Sequence, residues 1–316
     1  MDFILGSPII LEESLTCEFK EIRGSDPVQM ISKAVDEYVV AFLNADGGSI
    51  YWGVRDSDRV VVGTELNYAK RDLLRQVVGQ KVASIAPPTE PDAIDLPFHQ
   101  VLQPGTLAKP VENLYVVEVA VRRPRERNLY LTGSGEAYRK TLGGKKKLTG
   151  SELLGSLFDQ LQKKQEEYPK GIQDDWGHLS SIAPSIVRRA DLVAPLLDGV
   201  RILWVDDVPR RNLFERTAFS SLGFNVDIAI NSDEAVFMLE HLSPDIIISD
   251  MHRQTNRRAG VDFLNRIRED GNRTPLVFYV GYLDPRKPKP LGCFGITNVP
   301  GELFHLVFDV LERYRT

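Results

Sequence analysis

The chain has 316 residues, of which 42% are hydrophobic and 26% charged, with a formal net charge of −5. At roughly 100–200 residues per domain, that length suggests two globular domains, each able to bury a core without staples. It excludes a bulk polycation, so a nucleic-acid site must come from local clustering of basic residues.

Cys17 and Cys293 lie too far apart in sequence to form a metal-ligand pair, which excludes zinc fingers and a disulfide framework. The apolar start, Met1–Ile10, is short and lacks a basic flank, so it does not read as a signal peptide. No stretch reaches the ~18 apolar residues that a membrane helix needs, so a reducing cytoplasm is the expected location.

The pattern divides the chain into a first domain over 11–164, a linker with one helix over 165–198, and a second domain over 199–316. In the first, Glu18-Phe19-Lys20 alternates as a strand does. Ser25-Asp26-Pro27 then caps a helix whose apolar positions run from Met30 to Phe42 at helical spacing. Asn44-Ala45-Asp46-Gly47-Gly48 reads as a turn that needs φ > 0. Ser49–Val54 is a strong strand, Arg55–Asp58 a turn, and Val60–Gly63 another strand. A second helix fits Tyr68–Ser84 and must end before Pro87-Pro88. Strands at Tyr115–Val121, Leu129–Leu131 and Ala137–Lys140 follow, and a capping box, Thr149 with Glu152, opens a last helix over Ser151–Lys164.

Glu13 and Glu18 flank the first strand, and Asp56 follows the strand Ser49–Val54. Three carboxylates, with Lys20 beside them and no histidine, suit a hard divalent ion, Mg²⁺ or Mn²⁺, that activates water against a phosphodiester. On the residues alone they read first as solvated turn and strand-edge acids, whose loss the fold would survive. The concentrated basic region is Arg122, Arg123, Arg125 and Arg127, then Arg139, Lys140, Lys145, Lys146 and Lys147. Gly143-Gly144 before the three lysines makes either a phosphate-contacting loop or a flexible solvated one.

The runs Glu13–Lys20, Ala41–Gly48, Ile50–Asp56 and Val62-Gly63, with the later Tyr138-Arg139, resemble the Schlafen AlbA-type domain over about Leu11–Lys164. The resemblance implies a mixed α+β fold. In ribonuclease members of that family two glutamates and one aspartate form the metal-dependent cleavage site, and by motif these fall on Glu13, Glu18 and Asp56; Lys20, from its place beside them, is expected to contact the phosphate backbone. Other members are nucleic-acid-binding or regulatory modules, so the fold alone does not imply cleavage.

In the second segment, Arg201–Val205 is an apolar strand ending in Asp206-Asp207. Helix Pro209–Leu222, strand Asn225–Ile230, helix Asp233–Leu242, strand Asp245–Asp250, helix Gly260–Glu269, strand Pro275–Val280, strand Phe294–Ile296 and helix Pro300–Tyr314 follow. That alternation predicts a doubly wound parallel sheet, with Asp206, Asp207 and Asp250 together at its carboxyl edge.

The acid pair, Asp250 and Gly260–Leu264 resemble the receiver domain of response regulators, a flavodoxin-like α/β fold. The resemblance implies Mg²⁺ at the acid pair and a phosphoryl group on Asp250. The residues depart from it where a receiver carries a hydroxyl, here Val280 or Gly281, and a lysine, here Thr297 or Asn298. Lys287 or Lys289 is a candidate replacement, and Arg253–Arg258 reads as an anion site or a solvated loop.

The expectation is a metal-dependent nuclease with a phosphodiester substrate, RNA (tRNA included) before DNA. A receiver-like domain would control or assemble it, as in a stress or phage-defence effector. The alternative is a non-catalytic nucleic-acid-binding transcriptional or signalling regulator. The expected partners are nucleic acid, a second copy through the receiver-like half, and a protein partner or kinase.

Overall fold

The computed structural model describes residues 1–105, 109–126, 128–166, 182–253, 256–284, 286 and 288–315. Arg127, Lys287 and residues 167–181 of the expected linker lie outside the described residues. The chain divides into two compact units, Met1–Leu148 and Thr149–Thr316.

The first unit is built on a mixed sheet. Its strands are β1 (Phe3–Ile4), β2 (Cys17–Lys20), β3 (Gly48–Trp52), β4 (Thr64–Glu65), β5 (Ile94–Asp95), β6 (Phe98–Leu102) and β7 (Pro110–Val121). The order is β1-β6-β7-β3-β2, with β4 and β5 also paired to β7. Strands β2 and β3 run parallel, Glu18 opposite Ile50 and Lys20 opposite Trp52. Helix α1 (Pro27–Leu43) starts at Asp26, whose side chain accepts from the Gln29 N–H, with Pro27 in the first turn.

Alternation along the strands splits the core in two. Ile50, Trp52, Val117, Val119 and Val121 face α1 and its neighbour α2 (Tyr68–Ala83). Cys17, Phe19, Val101 and Val116 face the opposite side with Phe3 and Ile9. Glu18 and Lys20 therefore fall on the face that α1 covers. At the start of β3, Gly48 has φ +141°, and a Cβ there would stand 2.4 Å from the Thr16 carbonyl oxygen. Only glycine lets β3 come this close to the turn before β2.

Two expected strands are reduced. Leu131 makes one bridge, to Ala86, and Val60 and Val61 make bridges to Pro8 and Val54. The expected phosphate loop is a β-hairpin of β8 (Tyr138–Thr141) and β9 (Gly144–Lys147). The Asn44 side chain ties this region to the end of α1. Its Nδ2 donates to the carbonyls of Tyr130 and Tyr138, each at 2.9 Å, and its Oδ1 accepts from the Tyr130 N–H at 2.8 Å.

The second unit has five parallel strands in the order β11-β10-β12-β13-β14. They are β10 (Arg201–Val205), β11 (Asn225–Ala229), β12 (Ile246–Ser249), β13 (Leu276–Tyr279) and β14 (Gly295–Thr297). Leu203, Val205, Ile247, Leu276 and Phe278 form one core with α6 (Ser232–His241) and α7 (Ala259–Glu269). On the other face Trp204 meets Phe219 of α5 (Leu213–Ser221), which stacks on Phe304 of α8 (Pro300–Tyr314). Helix α3 (Gly150–Glu166) packs in this second unit, its Phe158 edge-on to Phe304 at 5.4 Å. The helix assigned by pattern to the end of the first domain is thus part of the second compact unit. Helix α4 (Ile182–Val193) also packs there: Arg189 forms an ion pair with Glu312 at 2.8 Å.

Asn44→Ala strands the Tyr130 N–H and two carbonyls, so the first unit should lose about 1–3 kcal/mol. Urea unfolding should show it, and an unchanged midpoint would mean the three bonds are replaced by water.

Candidate functional site

Glu18 is the centre of the first unit's polar cluster and is only 2% exposed. Its Oε1 lies 2.8 Å from the Lys20 ammonium and accepts from the Tyr38 hydroxyl of α1 at 3.4 Å. Its Oε2 lies 2.9 Å from the ammonium of Lys140, whose side chain is wholly buried. Lys140 directs its aligned hydrogen bond elsewhere, to the Thr141 carbonyl at 2.7 Å. Lys140 therefore pairs with Glu18 through charge, and one carboxylate is clamped by two cations.

The other two acids stand around Lys20. Asp56 is 3.7 Å from its ammonium and half exposed. Glu13 accepts the Phe19 N–H at 3.1 Å, closing the outer edge of β2. Burial works against the Lys20 charge, but Glu18 above all, then Asp56 and Glu13, hold its pKa above the ordinary lysine value. Burial and the Glu18 charge push the Tyr38 phenol up. Burial, then Glu13, pushes the Cys17 thiol up to about 11, so it is no thiolate nucleophile near neutrality.

A divalent ion would have to displace partners that these acids already have. Among the described residues, no three His, Cys, Asp or Glu side chains are placed to hold one. Both Glu18 oxygens already face ammonium groups, and one Glu13 oxygen already accepts a backbone N–H. The sequence pattern brings Glu13, Glu18, Lys20 and Asp56 into one neighbourhood, with a lysine in their midst.

The basic residues divide as well. Arg122, Arg123 and Arg125 pair with Asp92, Asp46 and Glu90, so this run is balanced by acids and is not a bare positive patch. In the hairpin, Lys140 pairs with Lys145 and Arg139 with Lys146 across the strands. Lys140 and Lys145 are drawn inward: Lys145 sits 3.1 Å from Glu37 and 4.1 Å from the centre of the Tyr38 ring. Arg139 and Lys146 are exposed. Lys147 pairs with Glu136, whose carboxyl this contact holds below the usual range. Tyr38 and Glu37 carried no functional signal in the sequence beyond their place in a helix, and Glu136 carried none.

In the second unit, Asp206 is buried beyond the end of β10. Its Oδ1 accepts the Val208 N–H and its Oδ2 the Asn212 amide, both at 2.6 Å. Asp250 follows β12 and accepts the His252 N–H at 3.2 Å. Burial pushes its carboxyl up, against that hydrogen bond, and Asp206 adds to the rise. Val280 lies in the core and its N–H donates to Thr297, whose hydroxyl is engaged with Glu302 at 2.5 Å. Lys289 donates to the Phe294 carbonyl at 3.3 Å. Arg253, expected in a solvated or anion-binding loop, is buried.

Residues 13–149 match the family model described as Schlafen, AlbA_2. This stretch is similar to a Schlafen AlbA_2 domain. It takes in the clamped carboxylate, the Asn44 tie and the hairpin. Over little more than a third of its length the chain is similar to response-regulator receiver structures. The Francisella response regulator 1452 receiver domain is 21% identical, covering 36% of this chain and 98% of that one, with a TM-score of 0.33. TrrA of Thermotoga maritima, solved with Mg²⁺ and BeF, is 21% identical over 35% of this chain and 98% of its own, with a TM-score of 0.32. A two-component response regulator from Clostridium difficile is 18% identical over 37% and 99%, with a TM-score of 0.34.

Glu18→Gln leaves the buried Lys140 without its carboxylate and should cost about 3–5 kcal/mol, against the sequence expectation that the fold would survive the loss. Asp56→Asn, half exposed, should cost no more than about 1 kcal/mol. Denaturant unfolding of the two variants checks both, and equal midpoints would refute the clamp.

Burial, with Glu118, raises Tyr51 to about 12, and burial with Glu136 raises Tyr138 as it does Tyr38. Their folded values lie above the unfolded one of about 10, so the stability they contribute is whole below pH 10 and is lost as pH climbs through the folded values. Their phenolate absorbance at 295 nm should therefore appear only together with loss of the far-ultraviolet dichroism. A full phenolate signal removed by Tyr38→Phe in folded protein near pH 10 would contradict this.

Proposed function

We propose that the Schlafen AlbA_2-like domain is a nucleic-acid-binding module that holds phosphates on the outer face of its β8–β9 hairpin. The supporting observation is how that hairpin sorts its basic residues. Lys140 and Lys145 turn in to Glu18 and Glu37, and Arg139 and Lys146 stand exposed as a cross-strand pair. The anchored hairpin shows both side chains at the surface, where a phosphate backbone can compete for them. Such contacts read charge and shape rather than sequence.

A second reading, metal-dependent cleavage of RNA or DNA, is favoured by one observation: Glu13, Glu18 and Asp56 all bear on the same lysine. That reading requires Lys20, which is a third exposed, to give up its place to an ion. The receiver-like unit is then a regulatory or assembling partner of the first, through a second copy or another protein.

One experiment addresses both readings. Labelled tRNA, single-stranded RNA and DNA are incubated with the full chain in Mn²⁺ or EDTA, and binding and product are followed across salt. Binding should persist in EDTA, and Arg139→Ala and Lys146→Ala should each reduce the slope of log K against log salt by about 0.7–0.9. A wild-type slope in both variants would exclude the hairpin. Product that appears with Mn²⁺ and is lost in Asp56→Asn, a variant expected to keep its fold, would establish the cleavage reading instead.

A further inference from the structure

Strand β12 ends at Ser249, and the chain bends so that Arg253 lies inside the protein, 5% exposed. Its guanidinium is held at three points. Nη1 donates to Ser232 Oγ at the start of α6 at 2.6 Å, and Nη2 donates to Ser249 Oγ at 2.5 Å and to the Asp250 carbonyl at 3.3 Å. Its Cζ stands 5.5 Å from the centre of the Phe263 ring of α7. Its Nε is buried with no hydrogen-bond partner among the described residues. Helix α7 closes over this bend: a Cβ on Gly260 would meet the Asp250 carbonyl oxygen at 2.4 Å.

A guanidinium keeps its proton in any protein environment, so a buried one must be balanced by negative charge. Burial lowers the Arg253 pKa, and the carboxylates that act against this are Asp250, Asp206 and Asp207, in that order. Asp206 has each oxygen engaged by an internal donor, and Asp250 has one. No three His, Cys, Asp or Glu side chains among the described residues are placed to hold an ion.

We infer that Arg253 is the resident counter-ion of the Asp206, Asp207 and Asp250 cluster, and that this cluster keeps its charge balance without binding Mg²⁺. The chain supplies from within the positive charge that a metal would bring. The two serines fix the guanidinium at the sheet edge, so the cation cannot exchange with solvent. Arg253 acts here as a positioning residue, through charge, on the carboxylates.

The test reads the part of a Mg²⁺ response that Asp250→Asn removes, by thermal unfolding and titration calorimetry of the full chain at constant ionic strength. Subtracting the Asp250→Asn signal excludes any Mg²⁺ bound by the first unit. In the wild type this part should be zero. Arg253→Gln keeps a donor for Ser249 but has no charge, and should gain a saturable response at least about tenfold stronger than any wild-type residue of it. Arg253→Lys keeps the charge and loses the two-serine fork. It should be less stable yet still blind to Mg²⁺, which a purely structural strut would not predict. A saturable wild-type response removed by Asp250→Asn would overturn the proposal, and so would a folded Arg253→Gln that ignores Mg²⁺. Arg253→Lys gaining Mg²⁺ as Arg253→Gln does would overturn it too. Should Arg253→Gln fail to fold, the wild-type titration decides alone.

Discussion

A carboxylate sealed from water must be neutralised, and the first unit is arranged around neutralising Glu18. Burying an isolated carboxylate costs several kcal/mol even after relaxation. Lys20, two residues along the same strand face, supplies one cation, and Lys140, more than a hundred residues later, supplies the other. The second pairing obliges the β8–β9 hairpin to dock beside α1. Tyr38 and Glu37 of α1 complete the dock through the Glu18 carboxylate and the Lys145 ammonium. The Asn44 bonds hold the chain that leads into the hairpin.

The second unit meets the same constraint with the signs reversed. There three acids gather at the carboxyl edge of a parallel sheet, where strand ends and helix starts converge. The answering charge we infer is Arg253, fixed by two serines and an aromatic face. Burial drives Asp250 up and Arg253 down for one reason: each holds its charge out of water.

The sequence was most readable where structure is local. Asp26 and Pro27 mark the start of α1, the glycines after Asp46 mark the entry to β3, and the alternating Cys17–Lys20 places Glu18 and Lys20 on one face. The five strands and closing helix of the second unit follow from apolar runs and their spacing. Weak or short edges were not readable. β1 has two residues and pairs with β6 across about a hundred residues, so no pattern marks either. The capping box before α3 marks that helix but cannot say which core it joins. Charge pairing is the least local property of all. A buried Arg253 reads like its exposed neighbours Arg257 and Arg258, because burial is decided by Ser232, Ser249 and Phe263.

The clamp on Glu18 also determines which side chains the hairpin can show. In a strand pair the side-chain period is two, so a slip of one residue exchanges the faces. Lys140 in register with Lys145 puts both inside, where Glu18 and Glu37 satisfy them, and so puts Arg139 and Lys146 outside. A slipped register would turn Arg139 toward Glu18 and release Lys140 to solvent. The bulkier guanidinium would then have to enter a space that seals a lysine completely. Within the clamp, three carboxylates face two ammoniums, so an incoming phosphate gains nothing by approaching it directly. The excess of carboxylates turns the phosphate away from the cluster, while the Lys140–Lys145 register fixes the exposed cations that can receive it.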